Sequence, residues 1–231
     1  MNKLILILAL LFSGCVFPQR TNHDAYNFSL RYTTKENARS YESVLQVVAM
    51  GDGIISFGSS FVINYKKNTF VITAAHVVDS TSDIKFFNHD GNICDFLILD
   101  TIQTNFDIVI YRISSYDRYL TISDKIVPLE RIDMKLSVYG YPHGGDIQKM
   151  VGSNYQNRNM EYILSPVRTG MSGGPVLDDR GYVIGVLTNQ ITENNGNISY
   201  GGYVNIGYIL NALDESINQI QNNKQEDVIK F

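Results

Sequence analysis

Cysteine is nearly missing: the 231-residue chain has two, Cys15 and Cys94. A small fold stapled by several disulfides is therefore excluded. Histidine is scarce as well, at positions 23, 76, 89 and 143, and these residues are too scattered among the cysteines to give zinc-ligand spacing. Asp178-Asp179 reads as a turn and not as a calcium loop. Neither a metal nor another cofactor is expected. Nineteen Lys and Arg stand against twenty-three Asp and Glu, for a formal net charge of −4. No basic run is long enough to track phosphates, so nucleic acid is not an expected partner.

The N-terminus is not read as fold. Lys3 gives a short positive start, Leu4 to Phe12 are apolar, and Ser13-Gly14 precede Cys15, the order of parts in a signal peptide. The apolar run is too short to span a bilayer as a permanent helix. Phe12-Ser13-Gly14-Cys15 resembles the bacterial lipobox, with Phe12 where leucine is more usual. That resemblance implies cleavage after residue 14, a lipid on Cys15 and attachment to a membrane surface. Plain secretion, or an uncleaved anchor, are the alternatives. Residues 15–40 read as a polar tether. With Cys15 acylated, Cys94 has no disulfide partner and is expected as a small core residue, with a reactive thiol as the alternative.

From Tyr41 onward, short segments rich in Val, Ile, Tyr and Phe alternate with turn signals such as Gly51-Asp52-Gly53, Lys66-Lys67-Asn68 and Asp179-Arg180-Gly181. Strands are predicted at Ser60–Tyr65, Thr69–Thr73, Ile84–Phe87, Ile93–Leu99, Ile108–Ile113, Leu136–Tyr139 and Tyr182–Leu187. This spacing argues for an all-β sandwich or barrel. Only the end has a helical period: Ile206, Ile209, Leu210, Leu213, Ile217 and Ile220 form one apolar stripe, followed by a polar tail from Asn222.

The strongest chemical signal is Thr169-Gly170-Met171-Ser172-Gly173-Gly174-Pro175. A serine between glycines can sit on a tight turn whose backbone amides are free to meet a developing oxyanion. A serine nucleophile needs a base, and His76 closes the strand-like run Phe70 to Ala75. The third partner would be a carboxylate at the head of a buried strand, and Asp107, opening Asp107-Ile108-Val109-Ile110, fits that description. Taken alone, each residue has a plain structural reading as a turn, a surface histidine or a strand cap.

Taken together they occur in the order His, Asp, Ser, and the chain resembles the chymotrypsin-like (trypsin-like) serine protease family. Phe57-Gly58-Ser59-Ser60 resembles the hairpin before the histidine strand, Gly185-Val186-Leu187-Thr188 the strand lining the substrate pocket, and Gly202-Tyr203-Val204 the closing strand. The resemblance implies two six-stranded antiparallel β-barrels with a C-terminal α-helix, the first over 41–123 with His76 and Asp107, the second over 124–231 with Ser172. It implies an oxyanion hole from the amides of Gly170 and Ser172, and a hydroxyl on Thr188 bonding the carboxylate. It also implies a substrate site walled by Pro166, Val167, Thr188, Asn189 and Gln190, all uncharged.

Two departures matter. Met171 stands where vertebrate digestive relatives carry an Asp that pairs with a cut N-terminus, and Ser60 stands where many relatives have glycine. With the missing disulfides, this points to the bacterial branch that includes HtrA-type proteases, without room for their PDZ module. The expectation is a serine endopeptidase at the bacterial cell envelope, acting on protein or peptide. A proteolytically silent binding module and an esterase are the competing readings. Oligomeric state is not legible in the sequence.

Overall fold

The computed structural model describes residues 41–51, 53–79, 81–122, 134–157, 160–193 and 198–229. The signal segment, Cys15, the tether and the boundary expected at 123/124 lie outside the described residues. Strands β1 (Val44–Gly51), β2 (Ile54–Tyr65), β3 (Asn68–Ala74), β4 (Asp83–Phe87), β5 (Ile98–Gln103) and β6 (Ile108–Ile113) form one antiparallel sheet in the order β4-β1-β2-β3-β6-β5. Strands β7 (Lys135–Gly140), β8 (Gln148–Asn157), β9 (Met160–Leu164), β10 (Pro175–Leu177), β11 (Val183–Glu193) and β12 (Ile198–Asn205) close into a barrel in the order β10-β11-β12-β9-β8-β7. A one-turn helix α1 (Ala75–Val78) follows β3, and α2 (Ile206–Ile229) ends the described chain.

The two-sheet, all-β architecture is the expected one, with a difference in the first half. Its ladder leaves β4 and β5 unpaired with each other, and the gap is bridged by the chain ahead of β5, through the isolated pair Phe87↔Ile93 and Cys94 N–H donating to Phe86 O at 2.8 Å. The predicted strand Ile93–Leu99 is therefore mostly irregular and pairs with β6 only from Ile98. Ile93 and Leu97 are 63% and 70% exposed, while Cys94 and Phe96 between them pack, partly buried, against the first core. Cys94, expected in the core, is half-buried, its Sγ 3.9 Å from Tyr116 Oη.

Central strands read as continuous apolar runs because both their faces are covered. In β3 the segment Phe70–Ala74 is wholly buried, as are Ile108–Tyr111 in β6. Leu45, Val47, Val62, Val71, Val109 and Phe86 fill the first core, and Leu136, Val138, Ile163, Val176, Ile184 and Leu187 the second. Each such side chain contributes about 1.5–3 kcal/mol by leaving water. The β2–β3 hairpin turns on Lys66 and Lys67, both at positive φ (46° and 64°), the pair of left-handed residues that a two-residue type I′ turn demands. The β10–β11 turn is tied by Asp178, whose carboxylate accepts the amides of Arg180 and Tyr182 at 3.0 and 2.9 Å.

The helix stripe behaves as the period foretold, with Ile206, Ile209, Leu213 and Ile217 buried. Asn205 caps its start by accepting the Gly207 amide at 2.9 Å. The helix does not end at Asn222; its backbone runs to Ile229. Between the halves, Tyr141 Oη donates to Val44 O at 3.0 Å and Tyr41 meets Tyr139 edge to face at 5.2 Å.

Candidate active site

Strand pairing brings the separated motifs together. Because β3 and β6 are antiparallel with Ala74 opposite Ile108, the residue after β3 lies beside the residue before β6, and Ala75 N–H donates to Asp107 O at 2.9 Å. Asp107 holds a positive φ of 55°, a conformation that Asp adopts more readily than most residues. Its side chain then returns over α1: Oδ1 accepts the His76 amide at 2.9 Å and Oδ2 lies 2.8 Å from His76 Nδ1. His76 thus sits on a one-turn helix just past the strand and not on the strand itself. The carboxylate is partly open to solvent, at 37% exposed against 47% for the imidazole. Gly58 makes room for this turn, since a Cβ there would lie 2.4 Å from Val77 Cγ1.

The serine turn reaches the same corner from the second barrel. Ser59 N–H, in β2, donates to Ser172 O at 2.8 Å, and Gly173 N–H donates to Leu187 O at 2.7 Å. Gly173 has φ +86°, and a Cβ on it would stand 2.0 Å from Ser59 O, 2.4 Å from Thr73 Oγ1 and 2.8 Å from Ala74 N. The residue after Ser172 is therefore in contact with the last residues of the strand that leads to His76. Met171, in place of an ion-pairing Asp, is fully buried in the second core, so this turn is anchored by apolar packing. The Ser172 hydroxyl donates to Thr188 O at 3.3 Å and not to His76. Met171 N–H is taken by Arg168 O and Gly174 N–H by Met171 O, while the amides of Gly170 and Ser172 have no protein acceptor among the described residues.

Close packing at Gly173 makes it sensitive. Gly173→Ala adds the cost of a left-handed non-glycine residue, about 1–2 kcal/mol, and pushes Ser172 away from β2. A shift of about 1 Å in catalytic geometry costs on the order of 100-fold. Gly181→Ala shares the backbone cost, at φ +87°, but its Cβ meets nothing within 4 Å. Gly181→Ala should melt slightly lower than wild type, Gly173→Ala lower still because it must also relieve the clash with Ser59 O, and only Gly173→Ala should lose activity by about two orders of magnitude or more, as read by kcat and circular dichroism side by side.

The other anticipated residues fall less neatly. Thr188 is buried, but its Oγ1 donates to Gly202 O at 3.4 Å and not to Asp107; its link to the site is the carbonyl that receives Ser172. Val167 is a correction: it is 1% exposed and packs with Leu187 and Ile163 in the barrel core, because an apolar side chain at that position has an interior to enter. Pro166 next to it is exposed, as are Asn189 and Gln190. The registered pairing of β11 with β10 runs from Val183 to Val186, while Asn189 and Gln190 pair with Gly202 and Gly201 of β12. Ser60, the hairpin departure, is fully buried and keeps a regular register, opposite Leu45 and Thr73.

A cavity of about 410 Å³ lies behind Asp107 and Thr188, lined also by Phe106, Glu161, Asn189 and Tyr208. Glu161, 8% exposed, accepts both contacts of the Asn205 amide group at 3.0 and 3.2 Å. Burial pushes its carboxyl above the ordinary carboxylate range, and the Asn205 and Tyr203 donors partly offset this. A raised folded-state value means that the native state holds its proton longer than the unfolded chain. Its stabilising contribution is therefore complete at acid pH and lost as pH rises through the folded-state titration. The stability of wild type minus that of Glu161→Gln should fall between acid and neutral pH; a flat difference in denaturant titrations would contradict this.

Fold and site together are two six-stranded antiparallel sheets, the second closed into a barrel, with the Ser172–Gly173 backbone packed against the strand that leads to the His76–Asp107 pair. A family model described as trypsin-like peptidase domain matches residues 58–186, and the chain belongs to that family. The chain is 23% identical over 170 residues to the probable periplasmic serine endoprotease DegP-like of Buchnera aphidicola, covering 69% of this chain and 36% of that protein. To the protein of the same name from Chlamydia pneumoniae it is 26% identical over 167 residues, covering 68% and 32%. The chain thus spans about a third of the length of these curated relatives. In fold it resembles the active-form crystal structure of the Rv3671c protease from M. tuberculosis, with a TM-score of 0.65 at 19% identity over 78% of this chain and 83% of that one. Ser59 and the backbone of His143, both built into the serine turn, were not singled out by sequence reasoning; the only trace of Ser59 was its place in the glycine-serine hairpin.

Proposed function

We infer that this chain is a serine endopeptidase in which Ser172 is the nucleophile, His76 the general base and Asp107 the group that orients it. The observation that carries this reading is the His76 Nδ1 to Asp107 Oδ2 contact at 2.8 Å, on a corner against which the Ser172–Gly173 backbone is packed. His76 Nε2 takes the proton from Ser172 Oγ as the oxygen attacks the peptide carbonyl. The resulting imidazolium keeps its Nδ1 proton bonded to Asp107 and gives the other proton to the leaving amine. Water then attacks the acyl-enzyme by the same route, restoring Ser172 and releasing the acid. The free amides of Gly170 and Ser172 suit the oxyanion.

The exposed edge at Asn189 and Gln190 suits an extended substrate added as a strand, with Pro166 and Thr188 alongside. The absence of charge on these residues favours a neutral side chain at the cleavage point. An exported protein held at the cell envelope by a lipid on Cys15 completes the reading, supported by the lipobox resemblance and by the periplasmic relatives.

One observation favours the silent binding module: the Ser172 hydroxyl faces Thr188 O at rest. Catalytic hydrogen bonds in ligand-free enzymes are often long and tighten only with substrate, so the two readings differ in reactivity. A fluorophosphonate probe should add its phosphonyl mass to Ser172 in the wild-type protein and to nothing in Ser172→Ala. Folded wild-type protein left unlabelled, or labelled elsewhere, would overturn the enzyme reading.

A further inference from the structure

Ser59 commits its amide and both bonds of its hydroxyl to the junction between the two sheets. It is fully buried in β2. Its N–H donates to Ser172 O at 2.8 Å and its C=O accepts Thr73 Oγ1 at 2.7 Å. Its hydroxyl donates to Gly170 O at 2.8 Å and accepts the Tyr141 amide at 2.9 Å. Three of these four bonds cross to the second barrel. The fit is tight, since a Cβ on Gly140 would lie 2.7 Å from Ser59 Oγ.

The atoms it holds are the informative part. In a trans peptide the carbonyl and the following N–H point to opposite sides, so an amide is aimed by whatever holds the carbonyl of its own peptide unit. Thr169 O, paired with Gly170 N–H, accepts the His143 amide at 2.8 Å. Met171 O, paired with Ser172 N–H, accepts the Gly174 amide at 3.0 Å. Gly170 O, in the unit between them, is held by the Ser59 hydroxyl. Gly170 sits at φ +92°, where glycine has broad conformational freedom and the adjoining peptide can reorient at low cost. A fixed carbonyl removes that freedom.

The geometry points to Ser59 as a positioning residue for the oxyanion-binding turn: its hydroxyl fixes the Gly170 carbonyl, in the peptide unit that joins the two units bearing the Gly170 and Ser172 amides, from the sheet whose strand β3 leads to His76. This rests on the serine-hydrolase reading above and deepens it. Ser59→Ala should lower kcat by about 10- to 100-fold, a fraction of the effect of deleting an oxyanion donor, with KM within about twofold of wild type. Affinity for a peptide boronate, which forms a tetrahedral adduct on the serine, should fall by the same factor as kcat/KM, while binding of a non-cleavable peptide and the pH midpoint of kcat/KM stay unchanged. Ser59→Cys, which keeps a weak donor, should lie between Ala and wild type, and it carries the test should the alanine variant not fold. A folded Ser59→Ala with wild-type kcat and boronate affinity would overturn the inference, as would a loss confined to KM. Should Ala not fold, a folded Ser59→Cys indistinguishable from wild type would do the same. Wild-type protein that neither cleaves peptides nor binds the boronate would instead overturn the serine-hydrolase reading, and this inference with it.

Discussion

Ser172→Ala and His76→Ala should each lower kcat by roughly six orders of magnitude, and the double variant should be no worse than either alone. The size follows from triad systems in which removing the nucleophile or its base costs about as much as removing the whole set, because the groups act as one unit. A residual rate about 10³–10⁴ above water should survive, supplied by oxyanion donors and binding that neither substitution touches. Folding should hardly register the changes. His76 is nearly half exposed, and the Ser172 hydroxyl makes one long bond to a carbonyl, so truncating either leaves no well-paired buried partner stranded. Melting temperatures within a degree or two of wild type, beside that collapse in single-turnover rate, would separate chemistry from stability. Additive losses in the double variant would mean that the residues do not act on one proton.

The parts of this molecule that could be read from the chain are those dictated by short-range physics. β3 and β6 declared themselves as uninterrupted apolar runs because both their faces are covered, and α2 as a three- and four-residue stripe because only one of its faces is. The run Ile93–Leu99 misled for the same reason in reverse: apolar composition promises burial, yet its residues stand largely exposed on an incompletely closed side of the first sheet. Strands β8 and β9 carry Lys, Asn, Gln and Glu and gave no periodic signal to find; it is barrel closure, a long-range requirement, that makes them strands. At the site, His76, Asp107 and Ser172 were legible as chemistry-bearing types in a meaningful order. What no spacing rule supplies is the pairing of Ala74 with Ile108 that sets His76 against Asp107, or the insertion of Gly173 against Ser59 O. Val167 failed as a pocket wall because its side chain follows the hydrophobic drive inward, whatever its neighbours along the chain do.

Asp107→Asn is expected to lower kcat by about 10⁴ with the fold intact, the loss seen when a triad carboxylate becomes an amide. The direction can be derived from two contacts made by one side chain. Oδ1 accepts the His76 backbone N–H and Oδ2 faces Nδ1. An asparagine has only one accepting oxygen. The backbone N–H cannot rotate or change its protonation, so the amide oxygen must stay on it, and the NH2 is forced toward the imidazole. Nδ1 must then accept, which places the ring proton on Nε2, where the lone pair is needed to deprotonate Ser172. The base is lost without any atom moving far. Partial exposure of Asp107 weakens the Coulombic share of its role through solvent screening but leaves this tautomeric share untouched, so exposure alone should not rescue the variant. Nitrogen-15 chemical shifts of the His76 ring read the tautomer directly. Asp107→Asn with the proton still on Nδ1, or with kcat within tenfold of wild type, would show that the carboxylate does not orient the base.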